Sequence, residues 1–427
     1  MFKMIAEEEI LLDYGVHIQR GDGEIRGLDC AQHGLHGWQQ WHYYAITMRW
    51  FSCARQMYFF LYHELYVGRE LRMKILVLGG TGAMGIPVVK LLADKENEVY
   101  VTTRNLSAMS HGKIHYITGN AQNVNFVKNI LTQRFDVIID FMIYNSTMFR
   151  ERMELFLANT GQYFFLSSAR VYADAGEQLI TEDFPRLLNV IQDKVYLKRD
   201  EYALAKAREE DMLHGSKYKN WTIIRPYITY NEHRLQLGAL EKEAWLLRAL
   251  EGKKIVFSRD MARCYTTLTY GGDVALRIVA LAGREDALGQ TFQIAGSESV
   301  RWERVLEIYL DVLEEKIGRR PEVYWLEDAG VIAKACHNTY QIKYDRLFDR
   351  KFDSTKVEEF LEDESEYREM AEGLRKCLSD FLDGEHIFLK RNWRLEGAFD
   401  RLTGEHTDIR KVSGWKKKIR YFQGYLQ

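Results

Sequence analysis

The stretch MKILVLGGTGAMG, Met73 to Gly85, decides the fold of this chain. Its first half, KILVL, has strand length and holds the unbroken apolar run Ile75 to Leu78, as in strands buried on both faces of a parallel sheet. Gly79, Gly82 and Gly85 follow at intervals of three, where the chain passes into a helical pattern. Each glycine has a mechanical reason. The strand-to-helix turn needs backbone angles closed to residues with a Cβ, a pyrophosphate must approach the main chain closely, and the helix must pack against the strand. The N–H groups of such a turn, backed by the positive helix end, hold phosphates. A dinucleotide site at Gly79, Thr81, Gly82, Ala83, Met84 and Gly85 is therefore expected.

Working outward, EVYVT, KIHYI, DVIIDF and YFFLS read as further strands, and PVVKLLADKEN, NVNFVKNILTQ and FRERMELFLANT as the helices between them. That alternation implies right-handed crossovers and an α/β, Rossmann-like, doubly wound parallel sheet. One long helix is expected from about Val195 to Ser216, before the strand WTIIRP. Beyond Pro226 the pattern loosens, and helices are expected in ALEKEAWLLRALEG, GGDVALRIVALAG and VRWERVLEIYLDVLEEKIG, the first and last closed by Gly252 and Gly318. The expected division is an N-terminal extension (1–72), a nucleotide-binding Rossmann domain (73–228), a smaller mixed substrate lobe with segments returning to the sheet (229–384), and a basic aromatic tail (385–427).

Bulk properties narrow the setting. The 427 residues carry a formal charge of −2, so no general attraction to nucleic acid or anionic membrane follows, and local basic stretches must be judged separately. Cys30, Cys53, Cys264, Cys336 and Cys377 are too few and scattered for a disulfide framework. The most apolar stretch, AITMRWFSCARQMYFFLYHELYVG, is broken by Arg49, Arg55, His63 and Glu64, and no membrane span is expected. The start, MFKMIAEEEILLDYG, carries acids where a secretory signal is basic, so a cytoplasmic protein with reduced thiols is expected. Three accounts of residues 1–72 stay open: an additional module, a partner-binding extension, or upstream sequence translated from an early start, which best explains how cleanly Met73 opens a strand. Cys30, His33, His36 and His42 have metal-like spacing but lack a second cysteine pair, and no metal is expected.

The second strand ends in VYVTTRNLS, where an acid would hold the ribose hydroxyls of NAD and a cation the 2′-phosphate of NADP. Thr103 takes the acid's place and Arg104 follows it, so NADP is favoured and NAD stays open; the plainer reading of Arg104 is a solvated surface side chain. Further on, DEYALAKAREE sets Tyr202 and Lys206 four residues apart on one helix face. Among 25 tyrosines roughly one such pair arises by chance, but this one follows the strand whose end carries Ser167 and Ser168. A phenol, with an ordinary pKa of about 10, works as an acid–base group near neutrality only beside a cation. Lys206 would supply that charge and reach the nicotinamide ribose, while Ser168 would hold the reacting oxygen against Tyr202.

Together GGTGAMG, SSARVY, YALAK, RPYITY, GGDVA and AEGLRKCLSDFL resemble the extended short-chain dehydrogenase/reductase family, in its NAD-dependent epimerase/dehydratase branch, over about Met73 to Gly384. The resemblance places Ser168, Tyr202 and Lys206 at the family's catalytic positions, Gly79, Gly82 and Gly85 in its cofactor loop, and Asp273 at its usual aspartate. It also implies a nucleotide-linked sugar as substrate and pairing of two copies through a four-helix interface. Departures qualify this. Ala169 and Arg170 stand where dehydratases carry an acidic pair, which disfavours dehydration. Ile228 and Thr266 replace an asparagine and an arginine that contact the nucleotide sugar; Arg234 or Arg263 would have to substitute. Asp140 in DVIIDF, and GNAQN, are similar to atypical members, among them chloroplast stem-loop RNA-binding proteins.

The expected function is thus an NAD(P)-dependent epimerase or ketoreductase acting on a sugar or nucleotide sugar. The alternative is an RNA-binding or cofactor-sensing protein on the same fold, with Lys416, Lys417, Lys418 and Arg420 interleaved with Trp415, Tyr421 and Phe422. A solvated helix end accounts for those residues too, and the near-neutral charge weighs against nucleic acid. Arg104 yields a test: in fluorescence titrations, Arg104→Ala should weaken NADP(H) binding by about tenfold or more and NAD(H) binding little, and equal losses would remove the 2′-phosphate assignment.

Overall fold

The computed structural model describes residues 72–426 except 106–107, 362–365 and 385–390, together with three short strands in the first 71 residues. The chain divides into two units, Met1–Leu71 and Arg72–Gln427. In the first, Ile10–Leu12 (β1), Val16–Gly21 (β2) and Glu24–Leu28 (β3) form an antiparallel sheet in that order. The aromatic-rich segment Trp38–Tyr66 and Cys30, His33, His36 and His42 lie outside the described residues.

The second unit is built on seven strands. Lys74–Leu78 (β4), Glu98–Thr103 (β5), Ile114–Thr118 (β6), Phe135–Asp140 (β7), Thr160–Leu166 (β8) and Trp221–Pro226 (β9) precede three short ladder strands, Ile228–Tyr230 (β10), Ile255–Ser258 (β11) and Tyr265–Thr266 (β12). Leu268–Tyr270 (β13), Gln290–Ile294 (β14), Val300–Arg301 (β15) and Val323–Leu326 (β16) follow. The main sheet runs β14-β9-β8-β7-β4-β5-β6, all parallel, with β4 in register between β5 and β7. This is the doubly wound architecture expected, and its order reverses beside β4, where such sheets open a crevice.

Alternation along β4 sorts the two faces. Ile75 and Val77 join a core with helix α1 (Gly85–Asp94), whereas Leu76 and Leu78 face the core formed with α2 (Val124–Ile130) and α3 (Ser146–Ala158). The expected helix over Val195–Ser216 is divided: a short piece, Lys194–Leu197, ends before α4 (Tyr202–His214). The cause is local acid chemistry. Glu201 accepts the Ala203 N–H at 2.9 Å as the cap of α4, and Asp200 turns to the start of α3, taking the Ser146 N–H at 2.7 Å. The break makes Tyr202 the first residue of its helix.

Another core, around Trp245, Phe257, Trp302 and Tyr309, joins the expected mixed lobe to Ala169, Tyr172 and Tyr227. The expected helix α5 (Gly271–Leu281) packs beside α1 in the sheet core, while the lobe holds the ladders β10–β13, β11–β16 and β12–β15, the expected helices Lys242–Leu250 and α6 (Trp302–Ile317), and α7 (Met370–Asp383). The last segment is a docked hairpin of α8 (Trp393–Thr403) and α9 (Trp415–Tyr425). A buried ion network anchors it. Arg248 donates to Glu396 and Asp400, both at 2.8 Å, and to Glu405 at 2.7 Å, while Lys253 reaches Glu396 at 2.7 Å and Asp400 at 2.8 Å. Burial alone would raise the Asp400 carboxyl, but the hydrogen bonds from Lys253 and Arg248 hold it below its usual range. Removing one member of a buried set strands the others without compensation. Arg248→Met should therefore cost about 3 kcal/mol, seen as a lower denaturant midpoint of the full chain; an unchanged midpoint would show that Lys253 alone suffices.

Candidate active site

Parallel strands end on one edge, and there the expected residues gather. The turn after β4 takes its shape from main-chain contact: Gly79 adopts φ +74° and donates its N–H to Thr102 Oγ1 at 3.1 Å, and a Cβ on Gly85 would lie 2.7 Å from the Gly80 backbone. Gly80, which sequence reasoning passed over, is wedged among Val77, Val89 and Val101. Gly82 faces open space, where an added Cβ would meet no described atom within 4 Å, and Thr81 is exposed beside it. Met84 precedes α1 as its cap residue without a side-chain cap bond, and no acid lies in that helix's first turn. The Ala83 carbonyl accepts from Asn231 Nδ2 at 3.3 Å, fastening the loop to the segment after β10. Arg104 is exposed just past β5, with no ion-pair partner among the described residues.

Ser168 follows β8 and begins a single 3₁₀ turn, its Oγ accepting the Arg170 N–H at 3.2 Å and keeping its own proton to donate. Ser167 beside it donates to Glu210 at 2.6 Å. Glu210, on α4, also receives Arg225 Nε and Nη2, each at 2.8 Å. Burial would push this carboxyl up, yet Arg225 outweighs it and holds Glu210 below its usual range. The bidentate pair ties α4 to β9 and to the end of β8, and so sets where Tyr202 stands.

Tyr202 is half-buried, and the cation against its ring is Arg170, whose guanidinium carbon lies 5.1 Å from the ring centre. Arg170 is held there by Glu201 at 2.7 Å, with Asp345 3.7 Å away. Lys206, expected beside Tyr202, is engaged below: its Nζ is 3.1 Å from Glu209 Oε2 and 4.3 Å above the Phe165 ring, and both side chains of the pair are buried. Nearby, Asp140 accepts from Met142 N–H and Tyr163 hydroxyl, each at 2.9 Å. Burial pushes its carboxyl up to about 6, against the pull of those donors and of Lys206. Glu209 is pushed up to about 7 by burial, with Lys206 opposing. Sequence reasoning noted Arg170 only as a departure and missed Glu209; the available signal was a charge three residues past Lys206 on the same inward face.

The remaining expectations are placed as follows. Asp273 sits in the first turn of α5 and accepts the Arg368 N–H at 2.8 Å. Arg234 is 3.6 Å from Glu241, while Arg263 is exposed at the end of the short helix Arg259–Arg263. A 390 Å³ cavity between Leu240, Cys336 and Phe399 reaches Glu241 but is lined by none of Gly79–Gly85, Arg104, Ser168, Tyr202 or Lys206. Among the described residues no group of three or more His, Cys, Asp or Glu is placed to hold a metal, and no helix is long and apolar enough to cross a membrane.

No known protein-family profile matches the chain. A curated relative, the chloroplast stem-loop binding protein of 41 kDa b of Arabidopsis thaliana, is 26% identical over 255 residues, 56% of this chain and 63% of the relative. The chain thus spans less than two thirds of that relative's length. Among solved structures, UDP-glucuronic acid 4-epimerase of Bacillus cereus, in complex with UDP-glucuronic acid and NAD, superposes with a TM-score of 0.54 at 16% identity, covering 73% of this chain and 99% of the enzyme. UDP-glucose 4-epimerase of Thermus thermophilus, in complex with NAD, gives 0.54 at 16%, covering 73% and 100%. The chain therefore has the fold of the NAD-dependent sugar epimerases, as its motifs implied.

The buried acids make stability depend on pH. The native chain keeps the Asp140 proton up to about pH 6 whereas the unfolded chain loses it near 3.8, so stability falls as pH rises through that window. In denaturation midpoints measured across it, Asp140→Asn should remove a slope of up to about 1.4 kcal/mol per pH unit; identical slopes in both proteins would refute the assignment.

Proposed function

We propose that this chain binds a nicotinamide dinucleotide, with NADP(H) favoured, across Gly79–Gly85 and catalyses hydride transfer on a sugar or nucleotide sugar, as an epimerase or a ketoreductase. The observation that carries this reading is the coincidence of an open, left-handed glycine turn at the reversal point of the sheet with Ser168 and Tyr202 on the same edge. A nicotinamide bound there supplies the hydride donor and acceptor. Arg104 stands free to meet a 2′-phosphate, and the acid-free first turn of α1 suits the pyrophosphate.

The protein's own residues move the proton. Tyr202 passes it to or from the reacting hydroxyl, and Ser168 donates its hydroxyl hydrogen to the same oxygen. Arg170 sets a positive charge against the phenol ring, a part the motif reading assigned to Lys206 alone. Lys206, whose Nζ meets Glu209 without a well-formed hydrogen bond, keeps donors for ribose hydroxyls. The absence of an acidic pair after Ser168 argues against elimination of water.

A second reading rests on the Arabidopsis relative: a stem-loop RNA-binding protein on this fold with little catalysis. Turnover separates the two. Tyr202→Phe should lower the rate with an accepted sugar by at least about a hundredfold while dinucleotide affinity, read by fluorescence, changes little. A rate unaffected by the substitution would remove Tyr202 from the chemistry, and undiminished RNA affinity without turnover on any sugar would favour the second reading.

A further inference from the structure

Helix α9 carries a face that nothing described covers. Trp415, Ile419, Phe422 and Leu426 are 66%, 46%, 48% and 77% exposed. At 3.6 residues per turn these four fall within an arc of about 60°. Tyr421 and Gly424, on the opposite side, are buried against α8. The apolar arc therefore points away from α8. Lys416 borders it on one flank and Lys418 on the other, with Lys417 and Arg420 further round. No acid occurs between Trp415 and Leu426, and none of the four cations is in an ion pair among the described residues.

Aligned exposed apolar side chains of this size mark a contact surface, and charge selects its occupant. A second copy docking through the same face would set Lys416 and Lys418 against their own equivalents, which repel. A groove that wraps a helix needs more of its circumference than α8 leaves free. Nucleic acid would use the cations and the rings of Trp415 and Phe422, but has no use for Ile419 and Leu426 in the same arc. A flat anionic surface with an apolar interior satisfies both features at once: the aliphatic and aromatic side chains enter the headgroup boundary, Trp415 sits where its ring prefers, and the flanking lysines meet lipid phosphates.

We propose that α9 is an interfacial helix that docks this protein on an anionic lipid leaflet, apolar arc inward. The chain's formal charge of −2 conceals the site, because the cations are local and the compensating acids lie elsewhere. The docking is peripheral, through one face of an 11-residue helix. It is independent of the hydride chemistry.

Flotation of the full chain with vesicles tests this. Phosphatidylcholine vesicles containing phosphatidylglycerol should carry the protein upward at low salt, and pure phosphatidylcholine vesicles or high salt should not. Ile419→Glu with Phe422→Glu, and separately Lys416→Glu with Lys418→Glu, should each lower binding by about tenfold or more. All four positions lie outside the core, so unchanged thermal midpoints and sugar turnover verify that the variants are folded. Failure to float at low salt overturns the proposal, as does equal flotation of the apolar double variant. If that variant instead splits a dimer seen in the parent, the arc belongs to a second copy; if stem-loop RNA binds without vesicles floating, the cations serve nucleic acid. Either result overturns it.

Discussion

The contact between Gly85 and Gly80 is the constraint on which the rest of the molecule turns. Because neither residue carries a side chain, α1 starts directly against the main-chain atoms of the turn that follows β4. That closeness lets the chain reverse at once, lays α1 along β4, and leaves Gly82 facing outward. Strand order, crevice and loop all inherit their position from this turn. The loop is tied down twice more, by Thr102 beneath Gly79 and by Asn231 at Ala83, so its shape belongs to the folded protein before any ligand arrives.

Charge beneath the crevice is arranged in two separate sets. One is fully compensated: Glu210 with Arg225 and Arg186, joined to Ser167, fixes helix to sheet and is held ionised by its cations. The other is not. Asp140, Lys206 and Glu209 bring two carboxyls and one ammonium into the same buried layer, and burial raises both acids towards neutrality. A rigid clamp therefore adjoins a titratable cluster along a single helix. The clamp ties the helix that begins at Tyr202 to the sheet, while the cluster sets two carboxyls raised by burial around the Lys206 ammonium.

Tyr202 shows what the spacing of a motif leaves undecided. Its spacing from Lys206 places both on one helix face, but a helix face has depth. Tyr202 stands in the first turn, half-buried, whereas Lys206 lies one turn further on, buried over the Phe165 ring and against Glu209. The cation that reaches the phenol ring comes from the turn after Ser168, 32 residues earlier in the chain.

What the amino-acid order determined alone was periodic and local. KILVL before the glycines announced a doubly buried strand, the alternation of runs announced the wound sheet, and Gly252 and Gly318 marked helix ends that the structure keeps with positive φ. The break ahead of Tyr202 was not legible, because Asp200 ends one element by bonding Ser146, 54 residues away. Nor were the roles of Arg170 and Glu209, since a charged residue's partner depends on what the fold brings within a few ångströms and on how much water it removes. The tail's basic and aromatic content could be read directly, but only tertiary packing decided which of its side chains were spent on α8 and which were left outside. Short-range pattern follows from backbone geometry, which every residue carries with it; electrostatics and exposure follow from neighbours, which only the finished fold supplies.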